Sequence, residues 1–163
     1  MKKPELVAIC GGGNKSDAAQ AKIEAFYHNT SVDVLARTLW GEARGEGSTG
    51  MEAVACVVLN RVKRAEKEGS FWWGNSIIQV CQKPYQFSCW NRSDPNYKTL
   101  QAVQEDDLYF ASALRVARRA IAETLEDITN GATHYHADYV TPYWAKGETP
   151  CAKIGRHVFY RLY

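Results

Sequence analysis

No stretch of this chain approaches the roughly 20 apolar residues that a bilayer-spanning helix needs, so stable membrane insertion is not expected. Neither sign of charge dominates. Its 20 Lys and Arg against 18 Asp and Glu leave a net +2, too little to argue for a nucleic-acid partner, though compatible with the anionic polymers of a cell wall. A disulfide framework is also lacking. Cys10, Cys56, Cys81, Cys89 and Cys151 are odd in number, so at least one is unpaired within the chain. Cys56 reads as a small buried hydrophobe, and a disulfide among Cys81, Cys89 and Cys151 stays open for an oxidising compartment. Their spacing fits no zinc pattern. The start has two lysines, but its apolar run, Leu6–Ile9, falls short of the roughly seven residues of a secretory signal, so no signal peptide is expected. Gly11–Gly13 is a flexible break and not a phosphate loop, because no Lys-Ser/Thr pair closes that pattern after a buried strand. At 163 residues, one domain with a real core is the expectation.

What the chain does have is concentrated in residues 30–62, which read as two helices joined by a glycine-rich turn. Thr30 or Ser31 can cap the first helix, with Asp33 in its first turn. Val32, Leu35, Ala36 and Leu39 recur at helical spacing, and Glu42 falls seven residues after Leu35, on the same face. A carboxylate thus ends a buried stripe, with Gly41 beside it and Gly45 and Gly47 stopping the helix. A desolvated glutamic acid that keeps its proton can act as a general acid, whereas a pair with Arg37 or Arg44 would make it structural. Thr49 to Glu52 fits a capping box, which gives Glu52 a structural task. Glu46 sits between glycines, solvated or leaning over a cleft. Met51, Val54, Ala55, Val58 and Val62 make the second helix a core helix, with Asn60 and Arg61 facing solvent or a groove.

The block Leu39–Glu46, with Gly50, Ala53–Ala55 and Val58–Val62, resembles the SleB-type cell wall hydrolases, which include spore cortex-lytic enzymes and phage lysins. The resemblance continues at Gln86–Ser88 and at Ile154–Tyr160, and it spans about residues 31–160. It implies a relative of the lysozyme and lytic transglycosylase superfamily, which cuts the glycan strands of peptidoglycan with one Glu at a helix end. By position that residue is Glu42. The same resemblance implies a phage lysin that waits in the cytoplasm of the host bacterium until a separate pore releases it.

The rest of the chain supplies the surroundings. Asp17–Tyr27 can form a weakly apolar helix, and residues 1–28 are assigned to an arm ahead of a catalytic domain at 29–163. Trp72 and Trp73 suggest core plus lid, or a platform for sugar rings. Asn75 or Ser76 can cap a short helix through Val80. The irregular Cys81–Asn96 segment holds Gln86, Phe87 and Ser88, the amide, ring and hydroxyl that a sugar-binding loop uses. Asn96–Leu125 reads as helical, with Phe110, Leu114, Ala117, Ile121 and Leu125 in one stripe. Thr133–His136 and His157–Tyr160 read as short strands.

The expected fold is therefore α+β, a mainly helical lysozyme-like single domain with a small β element. Glu42 is the catalytic candidate, and Glu46, Gln86, Phe87, Ser88, Tyr135, His136, Trp144 and Tyr160 are the substrate-binding candidates. Peptidoglycan is the expected partner, and a monomer without metal or cofactor is the expected state. Two enzymatic alternatives stay open: a zinc amidase or peptidase using His134 and His136 with Asp138 or Cys151, and a hydrolysing muramidase in which Glu46 assists. A non-catalytic wall-binding module is the third.

Overall fold

The structure is a computed structural model that describes residues 15–163. Helix α1, Lys15–Ala43, leads through a short 3-10 turn, Arg44–Glu46, into α2, Gly47–Glu68. Two short helices, α3 (Ile77–Gln82) and α4 (Tyr97–Ala102), precede α5, Leu108–Ile121. Three strands close the chain: β1 (His134–Ala137), β2 (Ala152–Ile154) and β3 (His157–Tyr160), in the antiparallel order β1-β3-β2. This is the expected α+β composition.

The core lies where α1, α2 and α5 pack together, around Leu35, Leu39, Met51, Val54, Val58, Phe110 and Ala117, all nearly or wholly buried. The expected stripe is buried at Phe110, Leu114 and Ala117 and half-buried at Ile121, where α5 ends; Leu125, also half-buried, lies beyond the helix. A smaller apolar cluster of Ala53, Val57, Ala132 and Phe159 seats the sheet on the outer side of α2.

Several local expectations give way to other contacts. Thr30 does not cap a helix; its hydroxyl donates to the Phe26 carbonyl at 2.8 Å, inside a continuous α1. Asp33 pairs with Arg37, whose guanidinium also donates to the carbonyls of Leu100 and Val103 at the end of α4. The 28/29 boundary thus falls within one helix, although residues 15–29 are exposed throughout. The Thr49–Glu52 capping box does not form either. α2 begins at Gly47, whose φ of 71° suits glycine, and Glu52 reaches across to Arg119 at 2.8 Å. The Asn96–Leu125 helix is two helices. Between them Asp107 caps α5, accepting from the Phe110 N–H at 2.9 Å and from the Trp40 indole at 3.2 Å. Ser76 caps α3 as expected. Cys56, Cys81, Cys89 and Cys151 are unpaired thiols, so the disulfide left open among the last three does not form; Cys10 and Leu6–Gly13 lie outside the described residues.

Candidate active site

Glu42 is the next-to-last residue of α1, where the apolar stripe carries it to the floor of a groove of about 700 Å³. The helix can bring its end this close because residue 41 is glycine. A Cβ there would lie 2.6 Å from the Cys89 Cβ and 2.9 Å from its Sγ. Cys89 is therefore packed against the helix, and its backbone N–H points at the Glu42 Oε1 from 3.4 Å, a long contact. The Tyr135 hydroxyl, on β1, donates to the other oxygen, Oε2, at 2.6 Å. One carboxylate is thus held from two elements that lie 47 and 93 residues away in the chain.

Burial pushes the Tyr135 phenol well above its ordinary range, and the Glu42 charge pushes it further. Tyr135 accordingly stays a donor toward Glu42. Beneath the groove, Arg61 of α2 is 5% exposed and donates from Nε to the Thr133 carbonyl at 2.8 Å and from Nη1 toward the Gln86 Oε1 at 3.4 Å. Burial lowers its guanidinium to about 10, so it remains a cation at neutral pH. It ties the Gln86 loop to β1.

The structure gathers Glu42, Gln86, Phe87, Ser88, Tyr135, His136 and Trp144 along one groove. Their parts differ. Phe87 is 2% exposed and packs its ring beside Tyr135, while Ser88 sits open on the rim. The His136 Nδ1–H donates to the Ala137 carbonyl, so Nε2 accepts from the Tyr160 hydroxyl at 3.0 Å. Tyr160 does not line the groove; it is buried behind His136 and Trp144. Glu46 does not line it either. Its Oε2 accepts from the Arg156 N–H at 3.0 Å and rests against Gly155, in the turn between β2 and β3.

Groove residues outside the substrate-binding candidates are Arg61, Trp72, Tyr85, Ala137, Tyr139, His134, His157 and Tyr163. Arg61 and Trp72 carried hints, a polar helix end and a tryptophan doublet. Tyr85 carried a hint as the aromatic neighbour of Gln86 in the Cys81–Asn96 loop, whereas Tyr139, Tyr163 and His157 carried none beyond the many aromatic residues of the last 32 positions. The zinc alternative does not assemble. Among the described residues no three His, Cys, Asp or Glu side chains converge as a metal site. Both His136 nitrogens are engaged, Asp138 faces Lys153 and Arg156, and the Cys151 thiol donates to the Thr129 carbonyl.

Burial and the nearby Arg61 lower His134 from 6.5 to about 4. The unfolded chain then binds a proton that the folded chain refuses, so this residue costs stability as pH falls from about 6.5 to about 4. Urea midpoints measured across that interval are expected to fall more steeply for the wild type than for His134→Asn. Parallel curves would refute the assignment.

Among the described residues, Glu42 is the only acidic side chain lining the groove. An aromatic-rich cleft with one carboxyl group held by a phenol can move one proton to and from a bound molecule.

The sequence pattern of the family described as Cell Wall Hydrolase matches residues 45–160, beginning three residues after Glu42. The chain is 29% identical over 148 residues to the spore cortex-lytic enzyme of Bacillus subtilis (strain 168), covering 89% of this chain and 42% of that protein. It is also 29% identical over 140 residues to the spore cortex-lytic enzyme of Halalkalibacterium halodurans, covering 84% of this chain and 36% of that one. It therefore spans less than half the length of these relatives. Among solved structures, the catalytic domain of the germination-specific lytic transglycosylase SleB from Bacillus anthracis superposes with a TM-score of 0.61 at 26% identity, over 80% of this chain and 93% of that domain. The catalytic domain of the Bacillus cereus SleB protein gives a TM-score of 0.63 at 25% identity, over 82% and 91%. With its pattern matched over more than half its length and its fold shared with two SleB catalytic domains, the chain belongs to the Cell Wall Hydrolase family.

Proposed function

We propose that this chain cleaves the glycan strands of peptidoglycan as a lytic transglycosylase, with Glu42 as both acid and base. The observation that carries this reading is that, among the described residues, Glu42 is the only carboxyl group on the groove. Protonated Glu42 gives its proton to the glycosidic oxygen as the bond from that oxygen to C1 breaks, and positive charge develops on the sugar ring. The resulting carboxylate then takes the proton of the sugar's own 6-hydroxyl while O6 bonds to C1. The carboxyl group is regenerated and no water is consumed. The Tyr135 hydroxyl steadies the carboxylate stage and fixes the rotamer of Glu42. Trp144, Trp72 and Tyr85 offer rings to the apolar faces of sugars, and Gln86 and Ser88 offer polar groups to hydroxyls and N-acetyl groups.

Mass spectrometry of digested wall material tests the reading. Anhydro-ended fragments are expected; reducing ends alone would instead make the enzyme a hydrolysing muramidase. Glu46→Gln separates the routes further. Glu46 accepts from the Arg156 backbone, and an amide oxygen can still accept there, so activity should fall less than about threefold. A loss equal to that of Glu42→Gln would make Glu46 a second working carboxylate.

Residues 1–28 are proposed to be dispensable for cleavage. Those described among them are exposed along α1, and burial begins near Thr30. A protein starting at Asn29 should keep at least about half its specific activity, since surface changes of this kind rarely shift stability much. A folded but inactive truncation would refute this. The setting we propose is lysis of a host wall by a phage lysin acting as a monomer, in keeping with the resemblance of the Leu39–Glu46 block. Clearing of whole cells only when a membrane pore is co-expressed is the expected behaviour.

A further inference from the structure

Trp72 is half exposed and divides two spaces. One is the groove over Glu42; the other is a separate cavity of about 440 Å³ between the loop before α3 and the end of that helix. The loop can lie this close to α3 because Gly74, with φ 107°, has no Cβ to meet Gln79, which would stand 2.7 Å away. The polar side chains around the cavity are Asn75, Gln79, Gln82 and Lys83, with no carboxylate among them.

Two of these amides have a fixed orientation. The Asn75 Oδ1 accepts from the Phe71 N–H at 2.9 Å, and the Gln79 Oε1 accepts from the Asn75 N–H at 2.8 Å. Only oxygen can accept those bonds, so the NH2 groups of both side chains are left as donors. Lys83 adds a half-exposed ammonium that forms no ion pair among the described residues. Ile78 and Trp72 supply apolar wall. A cation and amide donors beside apolar surface suit a ligand rich in carboxylates and carbonyls, with small apolar side chains. The groove differs: Trp72, Tyr85, Tyr139, Trp144 and Tyr163 set rings along it beside the Glu42 carboxyl group, which suits a sugar chain.

We propose that this second cavity binds the acidic stem peptide carried by wall glycan, placing the peptide on one side of Trp72 while the strand lies on the other. The inference rests on the reading of the groove as a glycan site. If it holds, the chain selects glycan that still bears its peptides.

The test uses two substrates, glycan strands with acidic stem peptides intact and the same strands after an amidase has removed them. The ratio of kcat/KM on the first to that on the second should fall about fivefold in Lys83→Ala, the size of one partly exposed charge contact. An unchanged ratio overturns the proposal. A second measurement needs no catalysis. Free acidic stem tripeptide titrated into 15N-labelled protein should shift the side-chain NH2 signals of Asn75 and Gln79. Gln79→Glu, which keeps an acceptor for the Asn75 N–H but places a negative charge in the cavity, should abolish the shift of the Asn75 NH2 signal, the one of the two that this variant retains. Absence of any shift in the wild-type protein overturns the peptide site by itself. Failure of the wild-type protein to cut either strand preparation would instead overturn the glycan-cleaving reading, with the titration still deciding what the cavity binds.

Discussion

Glu42→Gln is expected to lower wall-cleaving activity by at least about a hundredfold, the usual scale of a positioned acid–base group, while the protein folds as before. The amide keeps the size of the carboxyl group, and its oxygen can still accept the Tyr135 hydroxyl bond of 2.6 Å. What it loses is the transferable proton. Turbidity of purified cell walls measures the loss, and circular dichroism with the unfolding midpoint verifies the fold. Tyr135→Phe should give an intermediate result, because the phenol steadies the carboxylate without delivering the proton to substrate. A well-folded Glu42→Gln protein that still clears walls at the wild-type rate would end the single-carboxylate mechanism.

That candidate was legible in the sequence because its signal is local. Val32, Leu35, Ala36 and Leu39 set the phase of α1, and seven residues after Leu35 the same phase delivers Glu42 to the buried side. The α5 stripe and the Ser76 cap were legible for the same reason. The β1 and β3 strands read through their alternation and pair as Tyr135 with Phe159 and His136 with Val158. What could not be read depends on partners far along the chain. Thr30 and Thr49 have the chemistry of a cap, and nothing nearby says that the Leu100 and Val103 carbonyls will hold the Arg37 that pairs with Asp33, or that Arg119 will take Glu52. With Arg37 anchored on the end of α4 and Glu52 on Arg119 of α5, α1 runs on through Thr30 and α2 starts at Gly47. Strand β2 is three residues long, too short for its alternation to show against the turns around it. The phenol that holds Glu42 stands 93 residues away, with no trace in the spacing of either. Glu46 shows the opposite error. It lies four residues from the catalytic candidate in sequence, yet one 3-10 turn swings it to the β2–β3 turn and leaves Glu42 as the single acid on the groove among the described residues.

The tryptophan doublet gives the largest expected stability effect, and it separates two residues that the sequence presents as equals. Trp73 is fully buried, and its indole N–H donates to the Arg61 carbonyl at 2.9 Å. Its ring lies 4.2 Å from that of Phe71 and about 6 Å from those of His134 and Tyr163, and the Arg61 guanidinium stands over it at 5.4 Å. Trp73→Ala would therefore leave a cavity under β1 and remove the wall against which Arg61 is packed. The expected cost is about 4 kcal/mol, the range of buried tryptophan truncations, or a fall in Tm on the order of 10 °C for a domain of this size. Trp72 has the opposite character. It is 49% exposed and makes only tilted contacts with Phe71 and Trp73, so Trp72→Ala should cost less than about 1 kcal/mol. Its loss should be felt in substrate affinity, since its ring borders the groove. Thermal unfolding and saturation kinetics on the two variants distinguish the roles. Equal losses of stability would mean that Trp72 is also part of the core, and the groove would then lose the wall that the proposed mechanism gives it.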